Sequence, residues 1–322
     1  MIDKERLELI KRNSQEIINE DKIKNLLKLK RKPIVYCGYE TSGEVHLGHL
    51  VTITKLIDLE KAGFHVKVLF ADWHTWLNRK GDWDFIHEQV KVWKKAFKAA
   101  GLKNAEFVLG SSFQRKIEYI DDILLMSLQT TINRALRSMQ VVARDIEHAR
   151  VSQIIYPFMQ IADIKHLKVD LVEAGMDQRK IHVMGGELFK YIKYETPVFV
   201  HTELIPSLKG PGSKMSSSDK DSFISIRDSE EDVKRKINKA HCVAGVKEDN
   251  SVLSILKLII FPRLKEFKIE RDDKFGGNIL FKDYVEVEKS FVKKELHPLD
   301  LKKAVANELI DILMPIKKHF SK

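Results

Sequence analysis

The residues best suited to chemistry are two histidines set around a glycine, in the string His46-Leu47-Gly48-His49. An apolar segment at 34–37 and a turn-rich stretch precede this string, and apolar residues at helical spacing follow it from Leu50. The two imidazoles are therefore predicted to lie where a strand gives way to the N-terminus of a helix. Exposed backbone amides and the helix dipole make that position attractive to a polyphosphate.

A second string, Lys214-Met215-Ser216-Ser217-Ser218, lies in a glycine- and proline-flanked loop at 210–220. A lysine with several hydroxyls in such a loop is suited to holding a phosphate. Each string has an ordinary alternative: a polar loop for this one, and two surface or core histidines for the first. A metal pair is disfavoured for the histidines because no third ligand accompanies them at the usual spacing. The order and context of the two strings together favour a nucleotide site.

A third group of polar residues occurs within an apolar segment, where Tyr156, Gln160 and Asp163 follow one another at steps of four and three. On a helix these side chains share one face. A buried polar stripe needs hydrogen-bonding partners or it costs stability. The stripe therefore predicts a polar ligand, the alternative being an Asp163 that caps or bridges and tyrosines that merely fill the core.

The pattern of elements predicts an α/β fold. Residues 1–31 are predicted to be helical, with Pro33 ending the helix, and a helix at 84–100 is predicted to stop at Gly101. Strands are predicted at 34–37, 65–71, 107–109, 169–172 and 197–200. Strands that alternate with helices at this spacing indicate a doubly wound parallel sheet.

The remaining segments are predicted to be helical. Residues 113–150 contain no strand candidate, and a helix cap is predicted at Ser229 with Asp232 three residues on. We place a domain boundary near Asp228, with residues 1–228 forming one domain and residues 229–322 a smaller, mainly α-helical and basic one.

Composition favours a soluble protein with a polyanionic partner. Lys+Arg number 56 against Asp+Glu 46 in 322 residues, a net charge of +10, although many lysine-rich proteins are basic without binding nucleic acid. The two cysteines, Cys37 and Cys242, provide no disulfide framework. An acidic N-terminal segment is unlike a targeting signal, and the apolar run at 255–261 is too short to span a bilayer. We expect a cytoplasmic protein that does not enter membranes.

The two strings resemble the paired signatures of class I aminoacyl-tRNA synthetases, and the residues between them resemble the tyrosyl-tRNA synthetases of the archaeal and eukaryotic type. The resemblance covers residues 9–320. It is densest at 36–49, 156–182, 214–218 and 274–305.

This resemblance implies an architecture and a reaction. The fold would be a Rossmann-type catalytic domain with a helical dimerisation insertion at about 113–150, followed by a C-terminal anticodon-binding domain. The enzyme would activate L-tyrosine with ATP to tyrosyl-adenylate and transfer tyrosine to the 2′-hydroxyl of the 3′-terminal adenosine of tRNA(Tyr). It would act as a homodimer, with Mg²⁺ carried by ATP and no structural metal.

The resemblance also assigns roles residue by residue. The residues assigned to catalysis are His46, His49, Lys214, Ser216 and Ser217. Those assigned to tyrosine are Tyr36, Tyr156, Gln160, Asp163 and Gln178, with Tyr36 and Asp163 at the phenol and the others at the ammonium. Those assigned to ATP are Gly38, Glu40, His46, Gly48, His49, Lys214, Met215 and Ser217. Those assigned to tRNA are Arg137, Arg179, Phe275, His297 and Asp300.

Some assignments have open alternatives. Phe275 could be a core aromatic, Asp300 a helix cap, and the two arginines ordinary surface cations. Ser217 replaces a lysine that is commoner in the family, and Thr41 stands where a proline is frequent. Glycines 185 and 186 interrupt a predicted helix, for which close packing is the preferred explanation.

Three rival functions remain. A tryptophan enzyme of the same subclass is opposed by Tyr36 and Asp163, and a small-molecule nucleotidyltransferase by the basic C-terminal domain. A non-catalytic RNA-binding paralogue is opposed by the intact His46, His49 and Lys214.

Overall fold

The computed structural model describes residues 3–29, 31–140, 148–211 and 219–320. The chain forms two compact units. The first contains Met1–Ser42 and Lys55–Glu203, and the second contains Gly43–Thr54 and Leu204–Lys322.

Helices and strands alternate through most of the chain. The α-helices are α1 (Asp3–Lys11), α2 (Ile23–Leu27), α3 (Leu47–Lys61), α4 (Asp72–Leu77), α5 (Trp83–Ala99), α6 (Ile117–Ser127), α7 (Ile132–Ser138), α8 (Val151–His166), α9 (Arg179–Leu188), α10 (Glu230–Lys239), α11 (Ser251–Ile255), α12 (Tyr284–Val292) and α13 (Pro298–Lys318). The strands are β1 (Ser14–Ile18), β2 (Ile34–Tyr39), β3 (His65–Phe70), β4 (Glu106–Leu109), β5 (Leu171–Gly175), β6 (Val198–Thr202), β7 (Phe267–Ile269) and β8 (Ile279–Phe281).

A six-stranded sheet in the order β1-β6-β5-β2-β3-β4 organises the first unit. Strand β2 pairs in parallel with both β3 and β5, and β4 and β6 extend the parallel sheet on either side. The chain thus runs outward from β2 to β4 and then returns to the other side at β5. Such a reversal opens a crevice at the carboxyl ends of the two central strands, where ligands of doubly wound folds bind. The predicted parallel, doubly wound architecture is confirmed.

The prediction of one helix over residues 1–31 is wrong. Helix α1 ends at Lys11, and β1 pairs antiparallel with β6 at the sheet edge, with Ile17 opposite Val200. Asn13 and Asn19 flank the strand with positive φ angles of 58° and 60°, a conformation that asparagine adopts more readily than most residues and that interrupts a helix. Pairing with a distant strand overrides the helical spacing of the local sequence.

The core of the first unit lies between the sheet and α6, α8 and α9. It includes Tyr119, Phe158, Ile161 and Phe199, and α8 is buried along most of its length. A Cβ placed on Gly185 would come 3.1 Å from Cγ1 of Ile161. Close packing therefore accounts for the first of the two adjacent glycines in α9.

The segment at 113–150 contains α6 and α7 and no strand among its described residues; residues 141–147 lie outside the described residues. Its outer surface is unusually apolar. Ile117 and Leu128 are 76% and 78% exposed, and Leu124 and Ile132 are also exposed.

The second unit contains α10–α13 and the β7–β8 hairpin. Ser229 caps α10 as predicted, because its hydroxyl accepts a hydrogen bond from the Asp232 amide at 3.0 Å. The segment that leads into α3 is held within this unit. The Leu47 amide donates to the Ile224 carbonyl, and the Ile226 amide donates to the Val45 carbonyl, at 3.1 Å each.

Candidate active site

The carboxylate of Asp163 is the centre of the predicted amino-acid pocket. It is fully buried on α8, and its Oδ1 accepts hydrogen bonds from Gln114 Nε2 and Tyr119 Oη at 2.8 Å each. The other oxygen, Oδ2, has no hydrogen-bond partner in the described protein. Burial raises the pKa of Asp163 to about 7, although the two donors oppose that shift.

His74 presents a second unsatisfied group at the same place. Its Nε2 lies 3.6 Å from Asp163 Oδ2 and has no hydrogen-bond partner among the described residues. Burial lowers the pKa of His74 to about 3, so the ring is neutral and the contact is not an ion pair. The Gln114 amide faces Nδ1 at 3.4 Å, which makes Nδ1 the acceptor and leaves the proton on Nε2.

A buried acceptor and a buried donor thus remain unpaired side by side. Unpaired buried polar groups are rare and costly, and a ligand that satisfies both would bind well. A phenol can donate to Asp163 and accept from His74. An indole N–H can only donate, and a benzene ring can do neither.

The two predicted tyrosines are buried in this unit, and burial raises the pKa of both hydroxyls. The charge of Asp163 raises the pKa of Tyr36 further, and the Tyr156 ring packs edge-on against His74 with 4.6 Å between centroids. A Cβ on Gly38 would lie 2.7 Å from the Tyr36 hydroxyl. Glycine is therefore required there so that the Tyr36 side chain can lie across it.

At the other end of the stripe, Gln160 lies beside the carboxyl end of β5. Its Nε2 donates to Gln178 Oε1 and faces His182 Nε2, at 3.3 Å each. Gln178 Nε2 in turn donates to Asp177 at 2.9 Å. Gln160 and Asp163, both buried on α8, are thus hydrogen-bonded to Gln178 and to Tyr119 respectively. His74 lies beside Asp163, with Nε2 3.6 Å from Oδ2.

Sequence reasoning missed four polar residues of this region: His74, Gln114, Tyr119 and His182. His74 follows the carboxyl end of β3, and Gln114 follows β4. Because the carboxyl ends of parallel strands meet at one edge of the sheet, polar residues just after strands were the available signal. Tyr119 and His182 had no such signal, since each lies within an amphipathic helix.

The histidine pair occupies the N-terminus of α3, as predicted. The imidazole centroids are 4.0 Å apart. His46 Nδ1 accepts from the Gly48 amide and His49 Nδ1 accepts from the His46 amide, at 3.1 Å each. In a neutral ring this places the proton on Nε2. Burial lowers the pKa of half-buried His46 to about 4, so it is a neutral donor at physiological pH.

Glu40, a predicted ATP residue, follows β2 in the first unit. Its carboxylate accepts a hydrogen bond from Asn78 Nδ2 at 3.0 Å and forms an ion pair with Lys80. The predicted residues Lys214, Met215, Ser216 and Ser217 lie outside the described residues, so their roles stay predictions.

The predicted tRNA residues of the second unit are close in sequence but have different surroundings. Phe275 is 61% exposed, so it is not a core aromatic. His297 is the N-cap of α13, its Nδ1 accepting from the Leu299 amide at 3.2 Å. The cap is therefore His297 and not Asp300, which lies half-buried in the first turn of the helix.

The two predicted tRNA arginines lie in the first unit. Arg137 is exposed on α7. Arg179 forms a bidentate ion pair with Glu16, with nitrogen–oxygen distances of 2.7 and 2.8 Å. This ion pair with a strand that the sequence did not predict gives Arg179 a structural role of its own.

The described residues contain neither a metal-ligand cluster nor a helix that could span a membrane. No three His, Cys, Asp or Glu side chains in this part of the chain are grouped so as to hold a metal ion. No described helix is both long and apolar enough to cross a membrane.

Comparison with known proteins identifies the family. A model of the family described as tRNA synthetases class I (W and Y) matches residues 27–314. A tyrosine–tRNA ligase of Archaeoglobus fulgidus is 48% identical over 316 residues, which is 98% of this chain and 97% of that protein.

Solved structures agree. The crystal structure of tyrosyl-tRNA synthetase complexed with L-tyrosine from Archaeoglobus fulgidus superposes with a TM-score of 0.95 at 47% identity, covering 99% of both chains. A tryptophanyl-tRNA synthetase of Aeropyrum pernix gives a TM-score of 0.75 at 23% identity, covering 95% of this chain and 83% of that one, a likeness of fold alone. The chain belongs to the class I tRNA synthetases, in the group of the tryptophan and tyrosine enzymes.

Proposed function

We infer that this protein is a tyrosine–tRNA ligase. The carboxylate of L-tyrosine attacks the α-phosphorus of ATP, pyrophosphate leaves, and tyrosyl-adenylate forms. The 2′-hydroxyl of the terminal adenosine of tRNA(Tyr) then attacks the acyl carbon, and AMP leaves. Tyrosine is favoured as the substrate because Asp163 Oδ2 and His74 Nε2 are buried without hydrogen-bond partners among the described residues. A phenol can form a hydrogen bond with each of them.

We propose that the substrate lies with its phenol between Tyr36 and Asp163 and its ammonium near Tyr156, Gln160 and Gln178. A phenol hydrogen bond would hold Asp163 in its ionised form and so lower its pKa from the raised value of the free pocket. Phenylalanine would leave both buried groups unpaired, which costs about 1–3 kcal/mol for each of them.

We propose that His46 and His49 bind the phosphates through their Nε2–H groups. Adenylate formation places charge on the departing pyrophosphate, and positioned donors stabilise that charge. A neutral His46 supplies a hydrogen bond without requiring a proton at physiological pH. Gly48 would let the nucleotide approach the backbone, and Gly38 and Glu40 would contact it after β2.

The remaining ATP contacts are also proposals. Lys214, Met215, Ser216 and Ser217 would hold the phosphates from the loop at 210–220. We propose that Mg²⁺ enters with ATP, bound to its phosphates.

We propose that tRNA(Tyr) is read at both units. Phe275, exposed beside two glycines, would stack on an anticodon base, and His297 and Asp300 would contact neighbouring base edges. Arg137 and Arg179 would contact the acceptor end. The catalytic domain would comprise residues 1–228 and the anticodon-binding domain residues 229–322.

We propose a homodimer formed through the insertion at 113–150. Its exposed apolar side chains include Ile117, Leu128 and Ile132. A surface with this many exposed apolar side chains is typical of a protein–protein interface. We propose a cytoplasmic location, where a reducing environment would keep Cys37 and Cys242 as free thiols.

The function is tested by ATP–pyrophosphate exchange with each of the twenty amino acids, followed by charging of tRNA(Tyr). We expect exchange with tyrosine alone. Exchange with tryptophan in its place would make this a tryptophan enzyme. The absence of exchange with any amino acid would favour a non-catalytic RNA-binding protein.

A further inference from the structure

A line of buried side chains leads from the predicted amino-acid pocket to the edge of the sheet. Gln160 Nε2 faces His182 Nε2 at 3.3 Å, and His182 Nδ1 faces His201 Nε2 at 2.9 Å. His201 Nδ1 faces the Glu16 carboxylate at 3.1 Å, and Arg179 holds that carboxylate from outside. Both histidines are fully buried.

The carboxylate at the end of this line sets the direction of every hydrogen bond. A carboxylate only accepts, so His201 must carry its proton on Nδ1. Its Nε2 is then an acceptor, and His182 must donate to it from Nδ1. His182 Nε2 is left as an acceptor for the Gln160 amide nitrogen.

The state of each group is consistent with that direction. Hydrogen bonds from Arg179 lower the pKa of Glu16, so Glu16 is ionised at neutral pH. Burial lowers the pKa of both His182 and His201, so both rings are neutral. Glu16 opposes this shift at His201, whereas Arg179 reinforces it.

The consequence falls on Gln160. Its two N–H bonds are directed to Gln178 Oε1 and His182 Nε2, which leaves its carbonyl oxygen as the group that it offers to a ligand. A carbonyl oxygen attracts an ammonium group, whereas a reversed amide would present N–H groups to it and repel it.

We propose that Glu16, His201 and His182 are positioning residues that fix the side-chain amide of Gln160, so that its oxygen receives the ammonium of tyrosine. This inference rests on the proposed function. Arg179 stabilises the outer end of the line. This arginine is also a predicted contact for the acceptor end of tRNA, so that contact is connected to the amino-acid pocket by one chain of hydrogen bonds.

The test measures affinity for two ligands. L-tyrosine carries the ammonium, and 3-(4-hydroxyphenyl)propanoate has the same phenol and carboxylate without it. In Glu16→Gln the neutral amide no longer fixes the direction of the hydrogen bonds along the line. We expect L-tyrosine to bind about tenfold more weakly, a loss of about 1.4 kcal/mol, while the analogue changes by less than about twofold.

A matched control removes an ion pair outside the line. Glu187 pairs with Arg134 at 2.6 Å, and Glu187→Gln should leave both affinities as in the wild type. Equal losses for the two ligands in Glu16→Gln would indicate general damage to the pocket and would overturn the proposal. Unchanged affinity for tyrosine would overturn it as well.

A second measurement uses the unmodified protein, so that folding of a variant is not at issue. Nitrogen-15 NMR of histidine-labelled protein, or neutron diffraction, reports which ring nitrogen carries the proton. We expect Nδ1–H in both His182 and His201, and Nε2–H in either would contradict the proposal. Wild-type protein that fails to bind tyrosine would instead refute the proposed function.

Discussion

The amino-acid pocket and the predicted anticodon segment show opposite ways of specifying a ligand. In the pocket, Asp163 and His74 are buried and each has an unpaired polar atom. In the anticodon segment, Phe275 is mostly exposed and Asp300 is half-buried near Lys268 and Lys303. The Asp300 carboxylate can be hydrated in the absence of RNA, whereas Asp163 Oδ2 and His74 Nε2 are buried without a protein partner among the described residues.

This difference determines how each region discriminates. A buried, unsatisfied group imposes a large penalty on any ligand that fails to complete it, so selection of the amino acid should be close to all-or-none. Exposed stacking and rim contacts exchange protein–water for protein–RNA interactions and give graded effects. A small effect of substitutions in the pocket, or a large effect of substitutions in the anticodon segment, would contradict this difference.

The largest effect is expected from Asp163→Ala. The substitution removes an ionic hydrogen bond to the phenol, and it removes the acceptor that Gln114 Nε2 and Tyr119 Oη share at 2.8 Å. Tyrosine-dependent pyrophosphate exchange should fall by at least about a thousandfold. As a control, Asp170→Asn removes a carboxylate that pairs with Arg31, and it should leave exchange intact. Retained exchange in Asp163→Ala would refute the phenol assignment.

Next in size is the loss of the histidine donors. His46→Ala and His49→Ala should each slow exchange by about 10²–10³-fold, the usual effect of removing one positioned donor to developing charge. The KM for tyrosine should change little, because these residues are proposed to act on the phosphates. His65, which pairs with Glu106, provides the control variant His65→Ala. A variant in which only the KM for tyrosine changes would contradict the proposed action of these histidines on the phosphates.

The unsatisfied carboxyl should also make the ligand-free pocket unstable at high pH. The pKa of Asp163 in the folded protein is about 7, against an ordinary value of 3.8. The native state therefore keeps a proton that the unfolded chain loses, and its stability falls as the pH rises between these two values. Asp163→Asn lacks this penalty, and its Tm should exceed that of the wild type at pH 8 but not at pH 4.

Glu173 shares this behaviour, because it is fully buried and its pKa is raised to about 7. Glu173 is present in both the wild type and Asp163→Asn, so the difference in Tm between these two proteins reports on Asp163 alone. A Tm difference that is the same at pH 4 and pH 8 would show that Asp163 is not held in its raised-pKa state in the free protein.

The smallest effect is expected in the anticodon segment. Phe275→Ala removes a stacking surface worth about 1–3 kcal/mol per base, and should weaken tRNA charging by about tenfold while leaving exchange unchanged. Asp300→Arg should act in the same direction. The matched control is Leu280→Ala, an exposed apolar residue on β8. Reduced exchange in Phe275→Ala would show that the aromatic residue is structural.

Local patterns were enough to predict much of the fold and to place three polar residues on one helix. The steps between Tyr156, Gln160 and Asp163 place them on one face of α8 because a helix repeats every few residues. The histidine string and its helix start were likewise encoded within a short stretch.

Features that depend on distant pairing were not accessible in this way. Strand β1 exists because it pairs with β6, nearly two hundred residues away, and Glu16 enters the hydrogen-bonded line only through that pairing. His182 and His201 meet because α9 packs beside β6. No local spacing signals such a contact, and a buried histidine reads as an ordinary core residue in the sequence.

A crystal structure of the protein with bound L-tyrosine would test the proposed roles of Asp163 and Gln160 directly. We expect the phenol oxygen within hydrogen-bonding distance of Asp163 Oδ2 and the ammonium beside the carbonyl oxygen of Gln160. A tyrosine bound with its ring outside this pocket, or with its phenol turned away from Asp163, would contradict the account.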